Sequence, residues 1–266
     1  MSGLTRELLE ELYFRFNRPE FISPDPLEVV IQYEDIRDRE IVGLIAAALA
    51  YGRVAQIIKS VKKALEPLGA SPRDFLDRTE EPELLRLLPG FKHRFTAGAD
   101  LGAMLVGVKR ATAEFGSLNQ CFLDGHSQAA KNVLPALSAF TRRIACGFPG
   151  GCTSLLSSPE RSSACKRMNL YLKWMVRRDA VDPGGWLGVS PAQLIVPLDS
   201  HMFRICGAIG LSSRKSPNIK TALDVTEGFA RLCPEDPTKY DFAITRLGIR
   251  SDQDPAEFII KANSGV

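Results

Sequence analysis

Lys166 and Asp199 are the two side chains whose types and settings could do chemistry together: an amine and a carboxylate 33 residues apart, each at the expected start of an amphipathic helix. Asp199 lies in LIVPLDSHMFRICGAIGL, residues 194–211, where Met202, Phe203, Ile205 and Ile209 fall near a 3.6-residue period. An aspartate in that position can cap the unpaired N–H groups of the first turn. Aimed into a cleft, it can instead stabilise a developing positive charge or relay a proton. Lys166 lies in SSACKRMNLYLKWMVRR, residues 162–178, where the serines predict a helix start near Ser162 or Ser163 and so put the lysine in the first turn. The positive end of the helix dipole works against a second cation there, which favours use of the amine as a nucleophile toward an electrophilic carbon. The competing structural roles are a solvated lysine, or one holding a phosphate beside Arg167.

The elements that must position this pair read as a succession of helices. Residues 40–65 carry two apolar stripes, Ile41, Leu44, Ile45 and Ala48, then Val54, Ile57, Ile58, Val61 and Leu65, separated by a turn at Gly52. Residues 100–115 and 127–144 repeat the pattern, the latter with Pro135 marking a kink or a start. Further helices are predicted after residue 163, around 222–232 and around 240–247, and no strand-like alternation stands out. The fold class is all-α.

Composition bounds the rest. With 266 residues, 45% of them hydrophobic and 24% charged, the chain can bury a full core. A net charge of +3 permits a polyanionic partner without requiring one. Six cysteines, at 121, 146, 152, 165, 206 and 233, form neither a C-x-x-C pair nor a quartet, so no zinc site and no iron–sulfur cluster is expected. No segment offers about 18 consecutive apolar residues, and the N-terminal stretch lacks a long apolar core; the expectation is a cytoplasmic protein with no membrane partner.

The order loop, Lys166, amphipathic helix, then PLDSHMFRICGAIGL resembles the helix-hairpin-helix superfamily of DNA glycosylases. There a Leu-Pro-Gly-x-Gly-x-Lys hairpin precedes a Val-Asp-Thr-His-x-x-Arg segment. The lysine falls on Lys166 and the aspartate on Asp199, with Ser200, His201 and Arg204 continuing the second motif; Ser162 and Ala164 stand at the hairpin glycines. The interval is longer than in endonuclease III-like enzymes and similar to the archaeal 8-oxoguanine glycosylases. GFKHRF at 90–95 looks like the Gly-x-x-Tyr-Arg segment of related glycosylases, LIAAALAYGRV at 44–54 like a helix ending in a DNA-facing turn, and YDFAITRLGI at 240–249 like a closing helix. Across DREIVGLIAAALAYGRV, SACKRMNLYLKWMVRRDAVDPGGW and PEDPTKYDFAITRLGI, the chain also resembles a family of uncharacterised bacterial proteins grouped with that superfamily.

The resemblance implies two helical subdomains with a helix-hairpin-helix-like element and a cleft between them. Residues 38–195 would form the central subdomain, and 1–37 with 196–266 the other. It implies a DNA glycosylase, as a glycosylase/AP lyase acting on an oxidised purine such as 8-oxoguanine, the alternative being a non-catalytic binder that keeps the fold. Lys166 would attack C1′ and Asp199 assist. Tyr51 would fill the vacated stack, and Arg53, Lys92, Arg94, Arg167, Ser162 and Ser163 would contact the backbone. Trp174, Asp179, Asp182 and Trp186 would form a base pocket. No cofactor is expected beyond a monovalent cation at the hairpin, and the partner would be duplex DNA carrying a damaged base, bound by a monomer.

Overall fold

The computed structural model describes residues 3–148, 155–161, 163–249 and 254–264. Among them the regular secondary structure is almost wholly α-helical. Helix α1 (Arg6–Phe16) is followed by the short α2 (Leu27–Val30), then by α3 (Ile36–Ala48) and α4 (Val54–Leu65). Asp35 opens α3 by accepting from the Arg37 N–H, and the turn to α4 passes through Gly52 at φ +100°, a conformation glycine adopts without Cβ strain. Next come α5 (Pro72–Arg78), α6 (Glu81–Arg86), the long α7 (Gly98–Phe115), α8 (Leu118–Leu123) and α9 (Leu134–Ile144). Pro135 sits in the first turn of α9, so it marks a start and not a kink.

Two features differ from the sequence reading. A two-stranded antiparallel hairpin, β1 (Lys92–His93) and β2 (Thr96–Ala97), stands between α6 and α7. Strands of two residues carry no readable alternation, and the hairpin is held by its neighbours: His93 bonds Ser60 on α4 and the Tyr51 carbonyl beyond α3. The second difference is that α10 (Lys166–Val176) begins three residues after Ser163, because Cys165 takes the left-handed conformation at φ 49° and Ser163 is held in a bridge with Asn218. Lys166 is therefore the first helical residue.

The remaining helices are α11 (Ser200–Ala208), α12 (Ile219–Ala230), α13 (Asp241–Ile249) and α14 (Pro255–Ser264). Helix α10 lies against α3, where the carbon Cε of Met175 and the ring of Tyr171 crowd Gly43. Helix α13 packs on α11 and on α1. The α1 contact is reinforced where Lys239 and the Tyr240 hydroxyl both donate to Glu10, at 2.6 and 2.7 Å. Leucine, isoleucine, valine and aromatic side chains from along the described residues form one continuous core. Among the described residues no helix is long and apolar enough to cross a membrane.

Candidate functional site

Helix α10 is the site's central element because its period places Lys166, Leu170 and Lys173 along one face, all lining a cleft of about 610 Å³. The two lysines are about 10 Å apart along the helix axis, at 1.5 Å per residue. The opposite wall comes from Pro197 to His201 and from α13, where Asp241, Thr245 and Ile249 recur at four-residue spacing. The turn after α3 contributes Ala50, Tyr51 and Gly52. Lys166 and Asp199 thus line the same cleft.

Both are engaged by the protein. The half-buried Asp199 extends its backbone ahead of α11 and accepts the Met202 N–H on Oδ1 at 2.8 Å. Lys166 reaches across the cleft, and its Nζ donates to the Ala50 carbonyl at 3.4 Å. The next residue, Arg167, donates to the Ala48 carbonyl at 2.6 Å and lies over the Tyr51 ring, 5.0 Å from its centroid. Burial lowers the Arg167 guanidinium below its ordinary value. The carbonyl ends of α3 and its turn thus receive two cations from the start of α10, a placement that the α3 dipole favours.

The cleft floor carries two charged residues that the sequence reading missed. Lys173, 1% exposed, is held between Asp182 at 2.9 Å and Asp241 at 3.5 Å. Burial pushes the Asp241 carboxyl up to about 6, Lys173 opposes that shift, and the negative charge of Asp199 adds to it. A signal for Lys173 was present, since it stands seven residues after Lys166 on the same helical face. Asp241 is legible only as the first residue of the closing helix.

The four residues expected to form a base pocket stand elsewhere or behind the wall. Asp182 is fully buried and pairs with Lys173 and Arg177. Asp179 pairs with Arg177 at 2.9 Å, accepts the Tyr13 hydroxyl, and closes a turn by accepting from the Val181 and Asp182 N–H groups. Neither lines the cleft, because both carboxylates are needed to neutralise the buried cations of α10 and its C-terminus. Trp186 is 4% exposed, donates to Glu40 and meets the Tyr171 ring edge-to-face, so it is a core residue. Trp174 borders the cleft but is 1% exposed; it backs the wall and offers no open face for stacking.

Tyr51 lines the cleft with its hydroxyl anchored, donating to the His93 carbonyl at 2.8 Å and sharing a bond with Thr96 Oγ1 at 2.7 Å. A ring so tethered belongs to the wall and is poorly suited to enter a vacated stack. Arg53, Lys92 and Arg94 are exposed outside the cleft, and Arg94 packs against Gly52 and lies over the Phe95 ring. Ser163 lines the cleft and accepts the Cys165 N–H; Ser162 lies outside the described residues. Of the described hairpin carbonyls, those of Ala164 and Cys165 each accept from Asn169. Among the described residues no group of histidine, cysteine and carboxylate side chains could hold a metal ion.

A family model described as "Protein of unknown function (DUF2400)" matches residues 25–250. No curated protein and no solved structure matches the chain.

Proposed function

We propose, for a chain that belongs to the DUF2400 family and takes no activity from that membership, that the cleft is the active site of a base-excision DNA glycosylase with lyase activity. The observation that carries the reading is that Lys166 and Asp199 line one cleft. Its volume, about 610 Å³, is within the range of sites that enclose a small organic ligand, and a flipped nucleobase with its sugar fits that class. In this reading the chain folds as the two glycosylase-like subdomains that its motifs imply, with Ser163 to Lys166 as part of the hairpin, and acts as a monomer in the cytoplasm.

The chemistry follows from the pair. The lone pair of the Lys166 amine forms a bond to C1′ as the C1′–N bond breaks; the base leaves with the electron pair and takes up a proton. Asp199 stabilises the positive charge that gathers on the sugar. Loss of the amine proton and opening of the C1′–O4′ bond then give an imine between Lys166 and the sugar. Removal of a C2′ proton from that imine expels the 3′ phosphate and breaks the strand. At the floor, the buried Lys173 and Asp241 hold each other and fix the polar base of the cleft in which an oxidised purine such as 8-oxoguanine would sit.

Borohydride trapping on duplexes carrying 8-oxoguanine, uracil, an oxidised pyrimidine or an abasic site tests this reading. A covalent adduct on at least one lesion is expected, absent in Lys166→Ala and reduced at least 100-fold in rate in Asp199→Asn. No adduct on any substrate overturns the lyase step. If duplex binding survives that result, the second reading holds: a nucleic-acid binder in which Asp199 is a cap and Lys166 a strut. The hydrogen bonds of Asp199 to Met202 and of Lys166 to Ala50 favour that alternative.

A further inference from the structure

The β hairpin presents an aromatic ring to solvent. Phe95, at its tip, is 82% exposed, more than any other large apolar side chain described. Its neighbour Arg94 is held at φ 51°, a region that non-glycine residues occupy only under constraint, and its guanidinium lies 5.5 Å over the Phe95 ring. The constraint comes from below. His93 is buried, its Nε2 donating to the Tyr51 carbonyl and its Nδ1 bonded to Ser60 on α4. The hairpin is therefore clamped to α4 and to the cleft wall while its tip is left standing in water. A core-forming sequence has no use for that ring, and a tether this firm is not a loose loop.

The face of α4 beside the clamp is basic. Lys59 and Lys63 sit four residues apart on the side of Ser60, both exposed, and α4 contains no acidic residue. Lys92 is exposed on β1. Exposed cations thus stand on both elements that the His93 clamp joins, α4 and the hairpin, next to the cleft edge, where Tyr51 and Gly52 line the cavity and touch the hairpin.

We propose that α4 and the hairpin together make a second nucleic-acid contact, a shelf on which Phe95 stacks on an unpaired base while Lys59, Lys63, Lys92 and Arg94 follow the phosphates of the same strand away from the cleft. The assignment rests on the reading of the cleft as a DNA site. The chemistry is that of single-strand recognition: every base offers a π-face, stacking needs no hydrogen-bond code, and lysines track a backbone without reading it. A protein partner would be expected to meet a broader apolar area than one ring rimmed by cations.

Fluorescence anisotropy with a labelled single strand, a duplex and a duplex bearing a short single-stranded gap tests it, as a function of salt, on the full chain. All altered side chains are exposed, so folding is retained, and circular dichroism checks it. Phe95→Ala should weaken single-strand and gapped-duplex binding about 5- to 150-fold, the range set by a stacking contact, and leave the salt slope unchanged; Phe95→Trp should restore affinity. The double variant Lys59→Gln/Lys63→Gln should lower the salt slope by about 2. If the wild type binds these oligonucleotides and neither variant changes affinity or slope, the shelf is overturned while the cleft reading stands. If the wild type binds no nucleic acid, both are overturned.

Discussion

At the residue scale, the cleft depends on how four buried or half-buried charges share one another. Lys173 stands between Asp182 and Asp241, and Asp199 acts on Asp241 from the cleft wall. Replacing Lys173 by Met would leave the fully buried Asp182 with Arg177 as its cation. Breaking one partner of a buried pair typically costs about 3–5 kcal/mol, and urea unfolding of Lys173→Met should show a loss of that size. Asp241→Asn should be far milder at pH 7, because Lys173 keeps Asp182 and the repulsion from Asp199 is relieved. Since burial raises the Asp241 carboxyl to about 6, its contribution is fully present below the unfolded value near 3.8 and is lost as pH rises through 6. The Asn variant should therefore lose that part of the pH dependence; a penalty equal to that of Lys173→Met would refute this account of the pair. Lys166, Asp199, Tyr51, Arg167 and Ser163 could be singled out from helix starts and turns, because local sequence sets those. The packing of Asp179, Asp182 and Trp186 could not, because Arg177, Tyr13 and Glu40 come to them from positions between 2 and 166 residues away.

At the element scale, the long helices were legible where an apolar stripe repeats over several turns, as in α3, α4, α7 and α9. Short ones such as α2, α6 and α8 span too few turns to show a period. The start of α10 was misplaced because the left-handed backbone of Cys165 has no local signature, being imposed by the bridge between Ser163 and Asn218. Close approach between elements left a different trace, in small residues. A Cβ added to Gly107 on α7 would lie 1.9 Å from the Ile144 carbonyl oxygen at the end of α9, and one on Gly147 would lie 2.0 Å from the Ala103 oxygen. Neither obstacle is a side chain that can swing aside, so the backbones must separate. Gly107→Ala should cost about 3 kcal/mol, read as a fall in Tm of roughly 10 °C. Gly116→Ala, with open space but φ +84°, should cost about 1 kcal/mol, and a larger penalty there than at Gly107 would show that conformation, not contact, governs this helix.

At the scale of the whole molecule, one carboxylate joins three regions distant in sequence and gives the fold its pH response. Glu40 on α3 is 1% exposed and accepts the first N–H groups of α8, from Leu118 at 2.8 Å and Asn119 at 3.1 Å, together with the Trp186 Nε1–H at 3.1 Å. Three donors favour the carboxylate, but burial outweighs them and pushes its pKa up to about 7, beside a Tyr171 hydroxyl that is buried without a hydrogen-bond partner. The folded state therefore holds the Glu40 proton more tightly than the unfolded chain does. The resulting stabilisation is present in full below the ordinary glutamate value near 4.5 and is lost as pH rises through 7. A rise of this size corresponds to about 3 kcal/mol, and Asp241 acts with the same sign over a slightly lower window. Urea unfolding from pH 4.5 to 8 should thus show falling stability, in contrast to proteins whose buried carboxylates are all ion-paired and which gain stability over that range. Glu40→Gln should flatten the upper part of the profile and lower stability at pH 5, since an amide offers one acceptor oxygen where the carboxyl offers two to three donors. A wild-type profile that climbs between pH 5 and 7, with no change in Glu40→Gln, would mean that Glu40 is held as a carboxylate by its three donors, and that the joint between α3, α8 and the loop bearing Trp186 does not respond to pH.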